Sequence, residues 1–318
     1  MSQMKRIVIT GGFGFIGSRL VRHFQGRGME VIVLEHPQSA MPDGFPKCQI
    51  VHADITEDMP ATQAGVRGAD ALLHLAAQSS GPRSFSIPAT DIKLNILGTL
   101  NVVDWCIKQE IGRLLFASSF VIYGDHPDRE LLDEQTPCRP KSVYAGSKLA
   151  SEHLLANYAQ PKGIRWNAMR MFNVYGPGQD ITKPDQGVVG IFMNMLLRQD
   201  TVQVKGSLER FRDLVFIDDV IRAWDLCLEK EVPNQPYNVG SGEKTTFAQL
   251  IRATARVLGK EDRLVIDELP GMQGDMKGCY ADLSKIRADL GYQPQTSLIQ
   301  GLEKMYRWVE SNGADGSK

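Results

Sequence analysis

Short apolar runs rich in β-branched residues alternate with longer amphipathic stretches through the first half of the chain. The runs are RIVIT (6–10), EVIVLE (30–35), CQIVH (48–52), ALLHLA (71–76), RLLFASS (113–119) and IRWNAMRMF (164–172). Nearly continuous apolar character in short segments marks strands covered on both faces. Residues 15–26, 91–109 and 143–159 instead repeat apolar side chains at i, i+3 and i+4, which lines them along one helix face. Strands separated by such helices predict an α/β fold built on a doubly wound parallel sheet.

After Phe172 the texture changes. Gly and Pro cluster in NVYGPGQDITKPDQG, and a loop of that length in a compact domain is usually functional. The last third mixes strand-like pieces (TVQVKG, LVFI, YNVG, RLVID) with helical patterns near 246–257, 282–290 and 298–311. Thr245 and Thr246 mark the start of the first of these helices and Gly259 its end. The closing SNGADGSK is small and polar, the composition of a frayed tail.

Composition narrows the class of partner. With 318 residues and 42% hydrophobic content, the chain can bury one large core or two modest ones. The formal net charge is -1 and no Lys/Arg cluster recurs along one face, so neither a nucleic-acid nor a membrane-surface footprint is expected. Cys48, Cys106, Cys138, Cys227 and Cys279 lie far apart without a Cys-x-x-Cys pair, which speaks for a reducing compartment and against a zinc site or disulfide framework. The six histidines show no metal-ligand spacing either. MSQMKR leads directly into IVIT without the long apolar stretch of a signal peptide, and no run approaches the roughly 20 apolar residues of a membrane span. A cytoplasmic protein acting on a small molecule is expected.

ITGGFGFIGSRLV follows a predicted strand and opens a predicted helix. Gly11, Gly14 and Gly17 fall at three-residue intervals, closer than in G-x-G-x-x-G, but glycine serves the same ends: a tight turn, close approach of backbone to a pyrophosphate, and helix-to-strand packing. Phe15 and Ile16 belong to the same loop. Glu35 closes the second strand, eighteen residues after Gly17, where a carboxylate accepts both ribose hydroxyls of an adenosine and repels a 2′-phosphate. NAD is therefore expected rather than NADP.

Tyr144-Ala-Gly-Ser-Lys148 lies at the start of an amphipathic segment, so the phenol and the ammonium share one helix face. A free phenol titrates near about 10, and holding it as phenolate at neutral pH costs on the order of 4 kcal/mol. A neighbouring ammonium and a positive nicotinamide ring are the expected sources of that stabilisation. Ser119, in SSFVIYG, precedes Tyr144 by twenty-five residues, the length needed to leave a strand, cross a loop and enter the next helix.

Taken together, GGFGFIG, HADI, HLAAQ, Asn95 in KLNILGT, SSFVIYG, YAGSK, RMFNVYGPG and RFRDLVFIDD resemble the extended short-chain dehydrogenase/reductase family, and within it the nucleotide-sugar epimerases and dehydratases. The resemblance implies a Rossmann domain over residues 1–172, rejoined by 208–240, and a smaller α/β sugar-nucleotide domain over 173–207 and 241–318. It implies Ser119, Tyr144 and Lys148 as catalytic residues, with Tyr144 the general base. It places Asp54 and Ile55 at the adenine, and Leu75, Ala76, Ala77 and Asn95 with the glycine loop, Glu35, Tyr144 and Lys148 around NAD. Ser119, Asn173, Val188, Val204, Arg212, Asp275 and Cys279 are implied for the substrate. A homodimer pairing the helices 91–109 and 143–159 in a four-helix bundle is implied as well.

The resemblance also narrows the reaction. The 4,6-dehydratases resemble Asp-Glu after the catalytic serine, and the retaining decarboxylases carry an acid at the second place; here Phe120 and Val121 cannot exchange protons. The cysteine of the 3,5-epimerase/reductases is missing too. What remains suits oxidation and re-reduction at one carbon: C4 epimerisation of a UDP-sugar through a transient 4-keto intermediate. Cys279 stands where hexose epimerases carry either a large tyrosine or a small residue, and a small one leaves room for a 2-acetamido group, so UDP-GlcNAc and UDP-GalNAc join UDP-glucose and UDP-galactose as candidates.

Other readings stay open. Met272 replaces the family's usual arginine before Gly-Asp, and similar Met-Gln wording occurs in glucuronate 4-epimerases. A net NAD-dependent nucleotide-sugar dehydrogenase or reductase needs the same three residues. A non-catalytic NAD-binding sensor usually loses one of them. Asp218-Asp219 reads as helix capping rather than as a paired acid site.

Overall fold

The apolar runs form a seven-stranded sheet: β1 (Arg6–Thr10), β2 (Glu30–Glu35), β3 (Gln49–His52), β4 (Ala71–His74), β5 (Arg113–Ser119), β6 (Arg165–Met171) and β7 (Gln235–Val239). The strand order is β7-β6-β5-β4-β1-β2-β3, and β1 to β5 pair in parallel. The chain starts in the middle, runs outward through β2 and β3, then crosses back to β4. That reversal leaves a crevice at the carboxyl ends of β1 and β4, where doubly wound sheets take their ligands. The computed structural model describes residues 4–59, 65–183, 187–271 and 277–313, so Met272 and Asp275 lie outside the described residues.

Alternate residues of each strand feed opposite sheet faces. Val8, Ile32, Leu34, Leu72, Leu114 and Phe116 join Val102, Trp105, Cys106 and Leu155 in one buried cluster. Helix α1 (Phe15–Gly26) packs against β1 and β2 and buries Leu20, Val21 and Phe24. The sheet is thus covered on both sides, as the apolar strands require.

The long helical patterns are less regular than periodicity implies. Residues 91–109 divide into Pro88–Ile92, a wide π turn at Lys93–Leu97 and α2 (Gly98–Lys108). Residues 143–159 divide into α3 (Val143–Leu154) and a second π turn at Leu155–Ala159. Five residues of wide turn change the apolar phase too little to be read from sequence. Strand β4 stops at His74 rather than at residue 76, because the Leu75 and Ala76 amides both turn to the Thr10 hydroxyl, each at 3.1 Å.

Two compact units share the chain. The first comprises residues 1–124, 137–170 and 223–237; the second comprises 125–136, 171–222 and 238–318. Within the second, short strands pair as Thr201–Lys205 with Val265–Leu269 and as Asn173–Tyr175 with Leu214–Phe216. Its helix Phe247–Val257 opens with the expected Thr246, whose side chain caps Gln249 N–H in a full capping box, and Gly259 leaves the helix at φ +65°. The helix Val188–Arg198, apolar on nearly every position, shows no periodicity in sequence for that reason. Asp218 and Asp219 do sit in the first turn of the helix Ile217–Glu229. The Asp219 carboxylate accepts the Gln295 and Thr296 amides at 2.8 and 3.1 Å. Among the described residues no helix is long and apolar enough to cross a membrane.

Candidate active site

The glycine turn after β1 leaves no room for side chains. Gly11 has φ +68°, and a β-carbon there would come within 2.7 Å of the Ala76 amide nitrogen. Gly17 presses on the Gly11 carbonyl. Gly12, which lies outside the three-residue glycine spacing, sits against Val33, 2.6 Å from where its β-carbon would be. Gly14 precedes α1 with no side chain capping the helix, so the first-turn amides face outward with the positive end of the helix dipole behind them. Glu35 stands beside this turn: its carboxylate accepts Phe13 N–H at 3.0 Å and the Ser39 hydroxyl at 3.1 Å. A backbone cradle at a helix start with an acid at the end of the next strand fits the diphosphate and adenosine ribose of NAD.

Further along the same edge, Asp54 binds the Thr56 amide and hydroxyl, both at 2.8 Å, and Ile55 is buried under Gly98. Leu75, Ala76 and Ala77 follow β4 beside the glycine turn. Asn95 is 1% exposed. Its side-chain oxygen accepts Gln78 N–H at 2.9 Å, and its amide nitrogen donates to Gln78 O at 3.1 Å and to Ser147 Oγ at 2.9 Å. Asn95 therefore spends its side chain within the protein, tying the loop after β4 to α3.

Ser119, Tyr144 and Lys148 are brought together by local rules. Ser119 ends β5, where its hydroxyl accepts Val121 N–H at 3.5 Å and hydrogen-bonds the Tyr144 phenol. Ser142 caps α3 by accepting Ala145 N–H at 3.0 Å, which sets Tyr144 in the first turn and Lys148 one turn further on. The ammonium lies 4.7 Å from the centre of the Phe116 ring and 6.0 Å from that of Tyr144.

Burial dominates the electrostatics here. It pushes the Tyr144 phenol up to about 12, against the Ser119 hydrogen bond and with the Asp91 carboxylate adding to it. It also brings the Lys148 ammonium down to about 8, while Asp91 and Glu152 act in the opposite sense. In the protein by itself the phenol is therefore raised rather than depressed, and the group that acts to lower it is Ser119.

Two supporting groups escaped the sequence reading. Thr10 accepts the Leu75 and Ala76 amides, so its own proton goes to His74 Nδ1 at 2.8 Å; His74 Nε2 then donates to Thr99 Oγ1 at 3.2 Å, and Thr99 to the Asn95 carbonyl at 2.6 Å. This relay supplies a partner for the carbonyl that the π turn at 93–97 widens. Second, Glu152 and Arg170 form a buried ion pair at 2.7 Å, with Ser118 Oγ donating to Glu152 at 2.5 Å and Arg170 donating to the Tyr123 hydroxyl at 2.9 Å. Glu152 lies four residues after Lys148, a spacing that was available in the sequence.

The second unit holds the remaining candidates. Asn173 donates its backbone and side-chain N–H groups to the Asp213 carbonyl at 3.1 and 3.2 Å. The buried Asp213 carboxylate accepts Ser241 N–H at 2.6 Å and the Gly242 and Ala281 amides at 3.0 Å, which fixes the strand carrying Arg212. The Arg212 guanidinium stacks 5.3 Å from the Phe247 ring centre. Cys279 is 2% exposed, its thiol pushed up to about 12 by burial, with Arg212 opposing. Val188 opens its helix half-buried, and Val204 is buried in a strand.

Residues 7–240 match the NAD dependent epimerase/dehydratase family, and the chain belongs to that family. Its members are NAD-dependent enzymes of the extended short-chain dehydrogenase/reductase type, with NAD as cofactor. Among solved structures, a UDP-glucose 4-epimerase with UDP-glucose from Thermotoga maritima superposes with TM-score 0.88 at 32% identity, covering 96% of this chain and 99% of that one. A Thermus thermophilus UDP-glucose 4-epimerase in complex with NAD gives 0.83 at 33% identity over the same shares. A UDP-N-acetylglucosamine 4-epimerase from Methanobrevibacter ruminantium, in complex with UDP-N-acetylmuramic acid, gives 0.88 at 28% identity, covering 97% and 99%.

Proposed function

We propose that the protein interconverts a UDP-sugar and its C4 epimer, with UDP-glucose and UDP-galactose as substrates and their 2-acetamido counterparts also accepted. The observation that carries this reading is the convergence of Ser119, Tyr144 and Lys148 with only Phe120 and Val121 following the serine. Elimination of water needs a second acid and base beside the sugar. A reaction that begins and ends at one hydroxyl does not.

The glycine turn, Glu35 and the residues after β4 hold NAD. NAD supplies a two-electron acceptor for the C4 hydrogen and, when oxidised, a positive ring that favours phenolate at Tyr144. Tyr144 removes the proton of the C4 hydroxyl and returns it at the end. Ser119, already bonded to the phenol, donates to the same C4 oxygen. Lys148 carries the charge that opposes the burial of the phenolate. Arg212 and Asn173 are assigned to the diphosphate and sugar, and Cys279 to the space beside C2.

We place the enzyme in the cytoplasm, a reading supported by five free thiols. A homodimer through the helices of residues 91–109 and 143–159 belongs to the same proposal, supported by exposed Ile92, Leu97 and Ile107 on the first of them.

Proton NMR of UDP-glucose, UDP-GlcNAc and UDP-glucuronate incubated with the purified protein and no added cofactor tests the reading. A 4-epimer accumulating to a fixed ratio is expected. Conversion only with added NAD, with stoichiometric NADH, makes the protein a dehydrogenase instead.

A further inference from the structure

Asp91 is fully buried and lies outside the three catalytic residues, yet it is wired into the helix that carries two of them. Its Oδ1 accepts the Ser147 hydroxyl at 2.6 Å and the Asn95 amide at 3.2 Å, and its Oδ2 accepts the Gln78 amide at 2.7 Å. The two amide groups cannot be turned round. Gln78 Oε1 accepts the Ser80 backbone N–H at 2.5 Å and Asn95 Oδ1 accepts the Gln78 backbone N–H at 2.9 Å, so the NH₂ ends must face Asp91. Two amide NH₂ groups thus donate to this carboxyl group, and the Ser147 hydroxyl is shared between it and the Tyr144 carbonyl at 2.9 Å, a donor-rich setting that suits an acceptor-only, ionised carboxylate.

The charges in this buried layer then count out simply. Glu152 is matched by Arg170 through two hydrogen-bonded oxygens. His74 is neutral, since the Thr10 hydroxyl donates to one ring nitrogen and the other donates to Thr99. Tyr144 is a phenol. What remains is one carboxylate, Asp91, and one ammonium, Lys148, on neighbouring elements. Among the described residues no lysine or arginine forms a salt bridge with Asp91. A buried charge without a counter-charge is costly, and these two offset each other.

We propose that Asp91 is a positioning residue of the reaction: its carboxylate holds Ser147, between Tyr144 and Lys148, and supplies the negative charge that balances the Lys148 ammonium. Besides Tyr144, three titratable side chains are coupled electrostatically to that ammonium: Asp91 and Glu152 favour its charge, Glu152 being itself paired with Arg170, and the ammonium in turn disfavours a proton on His74. Because Asp91 also repels negative charge on Tyr144, it raises the working range of both groups together.

The role in turnover rests on the epimerase reading; the charge does not. Asp91→Asn keeps shape and removes charge. It is expected to move both limbs of the pH–rate profile to lower pH, by roughly one pH unit. Asp91→Glu keeps the charge and disturbs the fit, and is expected to lower the rate with the limbs in place. Independently of any substrate, the ultraviolet phenolate titration of D91N minus that of D91N/Y144F is expected to show Tyr144 ionising at lower pH than the corresponding wild-type difference. Tyr144 ionisation unchanged by D91N, or a profile displaced as far by D91E, overturns the proposal. If D91N does not fold, the D91E profile decides. Absence of turnover by the wild-type protein would sink the epimerase reading and leave the phenolate titration to judge Asp91.

Discussion

Gly17 packs directly on Gly11: a β-carbon at Gly17 would overlap the Gly11 carbonyl oxygen and lie 3.0 Å from its carbonyl carbon. The obstacle is backbone, which cannot swing aside as a flexible side chain does. Gly17→Ala is therefore expected to displace α1 from the turn, destabilise the fold by about 1–3 kcal/mol, and strip NAD from the purified protein. Mass spectrometry of the denatured sample for bound NAD, beside a thermal melt, checks both. A variant that keeps full NAD content would show that α1 does not need this packing to hold the diphosphate.

The glycine turn was legible because its spacing and its place between strand and helix are both sequence-local. So were β1 to β5, α1 and the start of α3 at residue 143. What stayed hidden depends on contacts between distant residues. The Thr10–His74 bond joins residues 64 apart, and the Ser147–Asp91 bond joins residues 56 apart; no spacing rule connects them. The π turns at 93–97 and 155–159 leave the apolar pattern readable as plain helix. Val188–Arg198 is hidden for the opposite reason, since its half-exposed Val188, Ile191, Met195 and Leu197 are apolar like its buried residues and leave little polar face to mark its period.

In the proposed mechanism Tyr144 and Ser119 divide one proton-transfer task unequally. With Tyr144 as the proposed general base, Tyr144→Phe is expected to lose at least about a hundredfold in kcat. Ser119→Ala removes one hydrogen bond to the reacting oxygen and is expected to lose less than Y144F. Initial rates of epimer formation by NMR, with bound NAD measured in each sample, separate catalysis from cofactor loss. Equal losses in the two variants would assign the base role to the pair rather than to Tyr144.

His74 makes the fold sensitive to acid. Burial, with Lys148 nearby, holds its imidazole down at about 3 against an ordinary 6.5. Between those values the unfolded chain binds a proton that the folded chain does not, so stability falls as pH drops from 6.5 towards 3, by on the order of 5 kcal/mol if the whole difference is realised. His74→Gln can still accept from Thr10 and donate to Thr99, but it has no proton to gain. Urea unfolding between pH 4 and 7 is therefore expected to show a shallower loss of stability for H74Q than for the wild type; parallel curves would mean that His74 is not the source.

Cys279 offers a test of sugar choice that spares the chemistry at C4. It is buried in the second unit, where the Arg212 side chain reaches its thiol electrostatically, and the reading above assigns its small volume to a C2 substituent. A 2-acetamido group needs that volume and a 2-hydroxyl does not. Cys279→Tyr is thus expected to lower kcat/KM for UDP-GlcNAc by more than about tenfold relative to UDP-glucose, while Cys279→Ser leaves the ratio between the sugars unchanged. Competition between the two sugars in one NMR tube reads that ratio directly and is insensitive to partial inactivation of the enzyme. If C279Y depresses both sugars in the same proportion, the tyrosine has disturbed the unit as a whole, and Cys279 does not face C2. If the wild type turns over UDP-glucose alone, the space beside Cys279 is closed already and the preference for the 2-hydroxyl sugar is set elsewhere.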